Sequence, residues 1–101
     1  MGSETPEVSI THDNQGSSGR YVARIAGSDH TGHLDWESRS NGVRVATHTI
    51  VPPAIGGRGV AARLVEAMVA DAKAEGFQID PQCSYVDAMF RRNKDWADLR
   101  A

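Results

Sequence analysis

The feature that most constrains this chain is a change of hydrophobic period at Pro52 and Pro53. Before the two prolines, apolar and polar residues alternate in short segments, which is typical of β-strands with one buried face. After them, apolar residues recur every three or four positions, which is typical of an amphipathic helix. Because proline cannot donate a hydrogen bond to a neighbouring strand, the pair also ends the last strand of the first half. The pattern predicts a small sheet followed by a helix that packs on it.

The first half of the chain predicts four short strands joined by tight turns. Asn41-Gly42 is its strongest hairpin signal, because both residues tolerate a positive φ. Short connections of this kind join neighbouring antiparallel strands, so we expect a four-strand meander. We also expect the last strand to alternate regularly, with every second residue from Val43 to Val51 on one side. The predicted strands are residues 8–12, 21–25, 33–37 and 43–51.

The second half predicts a helix, a strand and a second helix. The first helix has an apolar stripe from Val60 to Ala72 and ends at Gly76, a residue suited to the left-handed conformation that terminates many helices. Residues 77–80 then form a short strand. Each element is short, and the strand returns to the sheet after a helical crossover.

The C-terminal segment predicts the second helix and a tail. We expect Ser84 to cap this helix, because serine side chains accept hydrogen bonds from free N–H groups at helix starts, and the helix to run to about residue 92. Trp96 and Leu99 are expected to fold the tail back onto the core. The expected inner face of the helix comprises Tyr85, Ala88 and Met89.

These elements predict an α+β fold with a mostly antiparallel sheet. The order is a four-strand meander, a crossover helix, a fifth strand and a C-terminal helix. A length of 101 residues suits a single domain. We expect residues 1–7 to form a flexible N-terminus and residues 8–101 to form the domain.

Composition and charge restrict the partners that we expect. The net charge is −2, from 11 basic and 13 acidic residues, which argues against nucleic acid. The chain has no apolar run of the ~18–20 residues that cross a bilayer, so we expect no membrane partner. A single cysteine excludes a disulfide framework within the chain, and the histidines lack metal-ligand spacing, so we expect no metal. The sequence starts without the basic and apolar regions of a signal peptide, which predicts a cytoplasmic protein, as a monomer or weak homodimer.

Three glycines stand between the last predicted strand of the first half and the long helix. Gly56, Gly57 and Gly59, together with Arg58, put free backbone N–H groups at a helix start, where the helix dipole also favours an anion. Phosphate is the obvious anion, and a plain glycine-rich turn is the alternative. A P-loop is excluded because no Lys-Ser or Lys-Thr pair is present, and a dinucleotide-binding fingerprint does not suit a preceding antiparallel meander.

The glycine segment also resembles a known family. Residues 51–64, VPPAIGGRGVAARL, resemble the coenzyme A pyrophosphate loop of the GNAT acetyltransferase superfamily, whose signature is Gln/Arg-x-x-Gly-x-Gly/Ala. Gly59 and Ala61 match its last two fixed positions. Gly56 stands where Gln or Arg is usual, so one side-chain donor to the pyrophosphate is missing while the backbone donors remain.

Two motifs make the resemblance closer, to small stand-alone GNAT-like proteins of about this length. Those proteins pair a His-Thr-x-Val-Pro strand end with a Pro-x-Cys-x-Tyr-Val segment, and the resemblance covers roughly residues 20–99. Such proteins resemble a reduced acetyltransferase fold. The matching residues are His48, Thr49, Val51 and Pro52, then Pro81, Cys83, Tyr85 and Val86.

The resemblance implies an N-acetyltransferase that moves an acetyl group from acetyl-coenzyme A to a primary amine on a small molecule or peptide. It implies that the pantetheine arm of coenzyme A lies along Ile50 and Val51, and we expect Asn93 to contact the arm as well. A module that binds coenzyme A or acyl-coenzyme A with little or no turnover is the alternative. The pyrophosphate residues implied are Gly56, Gly57, Arg58, Gly59, Val60 and Ala61.

Three side chains are candidates for the chemistry. His48 has a suitable intrinsic pKa for a general base, and an ordinary strand histidine is the alternative. Cys83 is a candidate nucleophile that forms an acetyl-cysteine, or a residue that lines the acyl pocket, or a small buried apolar residue. Tyr85 is a candidate acid for the leaving thiolate, with core packing as the alternative.

Overall fold

The structure is a computed structural model, and it describes residues 8–56 and 59–101. The predictions for residues 1–7, and those for Gly57 and Arg58, lie outside the described residues.

In the part of the chain that the structure describes, five strands and two α-helices form an α+β fold, as predicted. The sheet order is β1-β2-β3-β4-β5; the first four strands are antiparallel, and β5 lies parallel to β4 after a helical crossover. Short 3₁₀ helices at Pro53–Ile55 and Lys94–Leu99 follow β4 and the last α-helix. The elements are β1 Val8–Asn14, β2 Ser18–Ile25, β3 Thr31–Arg39, β4 Val43–Ile50, α1 Val60–Glu75, β5 Gln78–Pro81 and α2 Ser84–Arg92.

The core lies between one face of the sheet and the two helices. Helix α1 begins after Gly59 and ends at Gly76, whose φ of 84° is the left-handed conformation predicted for it. The tail folds back as expected: Trp96 is buried, its ring lies 5.4 Å from that of Phe90, and Leu99 packs against the core. We call the face of the sheet opposite the helices the outer face. The largest buried side chains include Trp36, Tyr21, Leu34, Leu64, Met68 and Ile79.

Strand β4 contains a β-bulge, so the regular alternation predicted for it is wrong. Ala46 pairs with Trp36 and His48 pairs with Asp35, which leaves Thr47 as an extra residue on β4. The Thr47 hydroxyl donates to the backbone oxygen of Asp35 at 3.2 Å. Because an extra residue shifts the alternation by one position, Ala46 and Thr49 share the core face, whereas Val43 lies on the other side.

For helix α2, the expected cap is wrong, and the expected inner face is right at Met89, partly right at Tyr85 and wrong at Ala88. Its N-cap is Cys83 instead of Ser84, because the Cys83 N–H bonds the Ala46 oxygen at 2.9 Å while its backbone is extended. The buried face then falls on Val86, Met89 and Phe90, with Ala88 exposed and Tyr85 half-buried. In residues 8–56 and 59–101, neither α-helix has the length and apolar character needed to cross a bilayer.

Candidate functional site

Strands β4 and β5 separate where the bulge begins. Their parallel pairing ends at Ala46 and Pro81, and one further hydrogen bond joins the Cys83 N–H to Ala46. The bulge at Thr47 bends β4, and Pro81 in β5 has no N–H to continue the hydrogen bonds between the two strands. Both features favour separation of β4 from β5 after Ala46. We call the resulting opening the β4–β5 cleft, formed by residues 47–50 of β4 and by Cys83. In a parallel pair, backbone groups of β4 beyond the separation no longer bond β5 and can bond another extended molecule.

Cys83 lies half-buried at the closed end of the β4–β5 cleft. Its Sγ is 3.5 Å from the Thr49 Oγ1. Burial raises the pKa of the Cys83 thiol, but its hydrogen bond with the Thr49 hydroxyl and those from the backbone N–H groups of Val86 and Tyr85 outweigh burial and lower that pKa below its ordinary value. A cysteine at a helix start with a lowered pKa is suited to act as a thiolate.

His48 lies on the outer face of the sheet, next to the bulge, and is exposed. It is one position from Thr49, the residue that contacts Cys83. His48 and Cys83 therefore approach the same segment of β4 from its two faces. Among residues 8–56 and 59–101, no three His, Cys, Asp or Glu side chains form a group that could hold a metal ion.

Tyr85 lies in the first turn of α2, and its ring fits the core-packing alternative. Its ring packs half-buried against the core, and within the described part of the chain its hydroxyl has no hydrogen-bond partner. The Tyr85 backbone N–H, however, is one of the donors near the Cys83 sulfur. The structure thus brings the backbone of Tyr85 to the candidate nucleophile, and an acid role for the hydroxyl stays a prediction.

The N-terminus of α1 presents free backbone N–H groups. Gly59 is the N-cap with φ 72°; among the described residues no side chain caps the helix, and its first turn contains no acidic residue. The first α-helical bond runs from the Arg63 N–H to the Gly59 oxygen at 3.1 Å, so the N–H groups just before Arg63 have no acceptor in the helix. A Cβ added at Gly59 would meet nothing within 4 Å. Val60 is buried and anchors this end, while Ala61 is half-buried.

The residues from the end of β4 to the start of α1 differ in which side chains and backbone N–H groups stay accessible to a ligand. Ile50 is 53% exposed at the end of β4, and Val51 packs partly buried against the core. The Gly56 N–H donates to the Pro53 oxygen at 3.2 Å, so it is already engaged. Gly56 has φ −70°, which other residues adopt freely. Its glycine identity is therefore not required by backbone conformation.

Asn93 closes the end of α2. Both its backbone N–H and its side-chain amide donate to the Met89 oxygen, at 3.0 and 2.8 Å. The amide thus satisfies a carbonyl group at the helix C-terminus, and contact with the pantetheine arm stays a prediction.

Sequence reasoning missed two parts of this region. Thr49 was identified only as a motif residue, yet it bonds the Cys83 sulfur. A cavity of about 420 Å³ on the outer face was also missed. The adjacent His-Thr pair was a usable signal for Thr49; the cavity depends on the register of four strands and has no local signal.

In a comparison with protein families, residues 20–99 match a model described as GCN5-related N-acetyl-transferase. No curated protein is significantly similar to the chain. The matched residues extend from β2 to the C-terminal 3₁₀ helix and so include the cleft, the α1 N-terminus and Cys83.

Proposed function

Because the chain belongs to the GCN5-related N-acetyltransferase family, we propose that it transfers an acetyl group from acetyl-coenzyme A to a primary amine. The observation that carries the proposal is the β4–β5 cleft. Within the described residues, it leaves the backbone groups of residues 47–50 that face away from β3 without a partner strand, beside a cysteine with a lowered pKa.

In this proposal, coenzyme A binds along one continuous surface. The pyrophosphate accepts hydrogen bonds from the free N–H groups at the start of α1, where the helix dipole adds attraction for an anion. The pantetheine arm follows Ile50 and Val51 into the cleft, and the exposed Ile50 side chain gives it an apolar contact. The thioester then lies at the end of the cleft that holds Cys83.

Two routes lead from this arrangement to an acetylated amine. In direct transfer, His48 takes one proton from the ammonium group, and the amine nitrogen attacks the thioester carbon. A C–N bond forms, the C–S bond breaks, and the released thiolate takes up the second proton of the nitrogen. In double displacement, the Cys83 thiolate attacks first, releases coenzyme A as its thiolate and forms an acetyl-cysteine, which the amine then attacks. The lowered pKa of Cys83 supports the second route, and the exposure of His48 beside the same strand supports the first.

A second candidate function is a module that binds coenzyme A with little turnover. The observation that favours it is Gly56, which supplies no side-chain donor and whose N–H is held by Pro53. The pyrophosphate therefore has fewer donors than the family signature provides, and binding without efficient chemistry is consistent with this.

One set of measurements separates these functions. Calorimetric titration with coenzyme A and acetyl-coenzyme A tests binding, and thiol release in the presence of primary amines tests transfer. Release with a matching mass increase on the amine supports the transferase, binding without release supports the module, and no binding contradicts both. Acetyl-coenzyme A without any amine, followed by mass spectrometry of the Cys83 peptide, separates the two routes, because only double displacement leaves an acetyl group there.

A further inference from the structure

The cavity of about 420 Å³ on the outer face lies at the end of the sheet near the β1–β2 turn. Its polar lining includes Asp13, Arg20, Asp35, Glu37, Thr47 and His48. One residue from each of the first four strands forms a single row across it, because Asp13 pairs with Arg20, Arg20 with Asp35, and Asp35 with His48. The cavity therefore extends from β1 to the bulge of β4.

The charges in this cavity are not balanced. The Arg20 guanidinium donates to both oxygens of Asp35, at 2.7 and 3.1 Å, which neutralises that carboxylate. Among the side chains of the described residues, Asp13 accepts only from the neutral amide of Gln15, at 2.9 and 3.0 Å. Within residues 8–56 and 59–101, Glu37 has no ion pair or side-chain hydrogen bond. Asp13 and Glu37 thus face the cavity without an ion pair among the described residues, and the cavity lining carries three carboxylates against the one guanidinium of Arg20, which also attracts Asp13 at longer range.

We propose that this cavity receives the amine acceptor and that the acceptor is a linear polyamine. The inference rests on the proposed function, since it places the reacting amine at His48, beside the segment of β4 that contacts Cys83. Neighbouring strands lie ~4.8 Å apart, so the row from His48 to Asp13 spans about 14 Å, a distance that suits an extended chain with a second ammonium group.

The charge pattern fits the protonation that the reaction requires. The reacting nitrogen gives up a proton to His48 and forms the C–N bond, whereas the distal ammonium keeps its proton and pairs with Asp13 and Glu37. A monoamine has no group for these carboxylates. The cavity is also within the range of ~300–1,000 Å³ that is typical of small-molecule sites.

The binding half of this inference is tested without turnover. Spermidine and butylamine are titrated into the isotopically labelled, coenzyme A-saturated protein while backbone amide signals are followed. We expect spermidine to move the signals of Asp13, Gln15 and Thr47 and to bind more tightly than butylamine. Asp13→Asn with Glu37→Gln should weaken spermidine binding by about two- to tenfold, given the small value of each exposed charge pair.

A matched double variant controls for charge alone. Asp29→Asn with Glu66→Gln removes the same two charges from exposed positions outside the cavity lining and should leave the affinity for spermidine within about twofold. All four positions are exposed, so both double variants should fold. Equal weakening by the two double variants, or spermidine that leaves the cavity signals unmoved, overturns the inference.

Turnover separates failure of the inference from failure of the proposed function. The ratio of kcat/KM for spermidine to that for butylamine should exceed one and should fall in the Asp13–Glu37 double variant. Spermidine binding in the cavity without thiol release from any amine contradicts the transfer reaction and leaves the cavity as a polyamine site. Transfer whose kcat/KM is indifferent to the second ammonium and to both carboxylates contradicts the inference and leaves the transfer reaction standing.

Discussion

At the scale of single residues, the surroundings of Cys83 make a prediction that needs no substrate. The Thr49 hydroxyl bonds the Cys83 sulfur and lowers its pKa, so Thr49→Val should raise that pKa and reduce the thiolate fraction at neutral pH. Alkylation of Cys83 by iodoacetamide, followed across pH, should be slower in Thr49→Val and normal in Thr49→Ser. Thr11→Val, at an exposed strand position, is the control. An unchanged alkylation profile in Thr49→Val contradicts this account of the thiol.

Gly59 makes a second prediction at this scale. Gly59→Asp places a carboxylate at the helix start where the pyrophosphate is proposed to bind, and like charges in contact cost several kcal/mol, so coenzyme A affinity should fall at least about tenfold. Gly59→Asn has the same shape without the charge and should lose less. Gly27→Asp, also at a positive φ in open space, should bind as the wild type does. Calorimetry measures all three, and full affinity in Gly59→Asp shows the anion site to lie elsewhere.

At the scale of elements, the bulge in β4 determines where the cleft opens. Deletion of Thr47 removes the extra residue but keeps every other pair, because Ala46 still meets Trp36 and His48 still meets Asp35. We expect the straightened strand to lose about two hydrogen bonds to the pantetheine arm, which is about tenfold or more in coenzyme A affinity. Thr47→Val keeps the bulge and should bind normally. The titrations are compared with thermal unfolding, and normal affinity in a folded deletion variant shows that the bulge is not needed.

The bulge also shows which parts of the fold can be predicted from the sequence and which cannot. The strands β1 to β4 and the helix α1 can be predicted from period-two and period-3.6 patterns, because these elements depend on residues that are close in the sequence. The glycine and cysteine motifs locate the α1 N-terminus and Cys83. The bulge in β4 could not be predicted, because an extra residue does not change the local preference for a strand. Thr47 suits either face of the sheet, and only the pairing of β4 with β3 shows that it is the extra residue. The N-cap of α2 likewise depends on a distant contact. Cys83 caps the helix in place of the predicted Ser84 because its N–H bonds the oxygen of Ala46, which is far away in the sequence.

At the scale of the whole molecule, a polar cluster joins the sheet to α1. Trp36 Nε1 donates to His12 Nε2 at 2.9 Å, and the Tyr21 hydroxyl donates to Asp71 at 2.6 Å. The His12 ring stacks on Tyr21 at 4.0 Å, and its Nδ1 lies 3.4 Å from Asp71. Burial lowers the pKa of His12 from its ordinary value of 6.5, against the attraction of Asp71. The neutral ring is thus the form that the fold holds.

This cluster predicts how stability depends on pH. Because the His12 pKa is lower in the folded state, the unfolded chain binds the proton more readily, and this contribution to stability is complete above about pH 6.5 and is lost as pH falls through the lower folded value. Urea denaturation should show the loss. His12→Leu should reduce this pH dependence and lower the free energy of unfolding at pH 7.5 by about 1–3 kcal/mol, since Trp36 loses its acceptor. His30→Leu, in an exposed turn, should keep the dependence; equal profiles in both variants contradict the assignment.

The last two residues affect how copies of the molecule can meet. The Ala101 N–H bonds the Ile79 oxygen at 2.8 Å, and Arg100 forms an isolated bridge with Ile79, so the outer edge of β5 is covered. Within the described residues, β1 is the other edge of the sheet and has no further strand beside it. Of the two outer edges of the sheet in the described residues, β1 is therefore the one without a neighbouring segment. Two β1 edges joined antiparallel bond each other's free backbone groups, so an assembly that uses β1 alone stops at a symmetric pair.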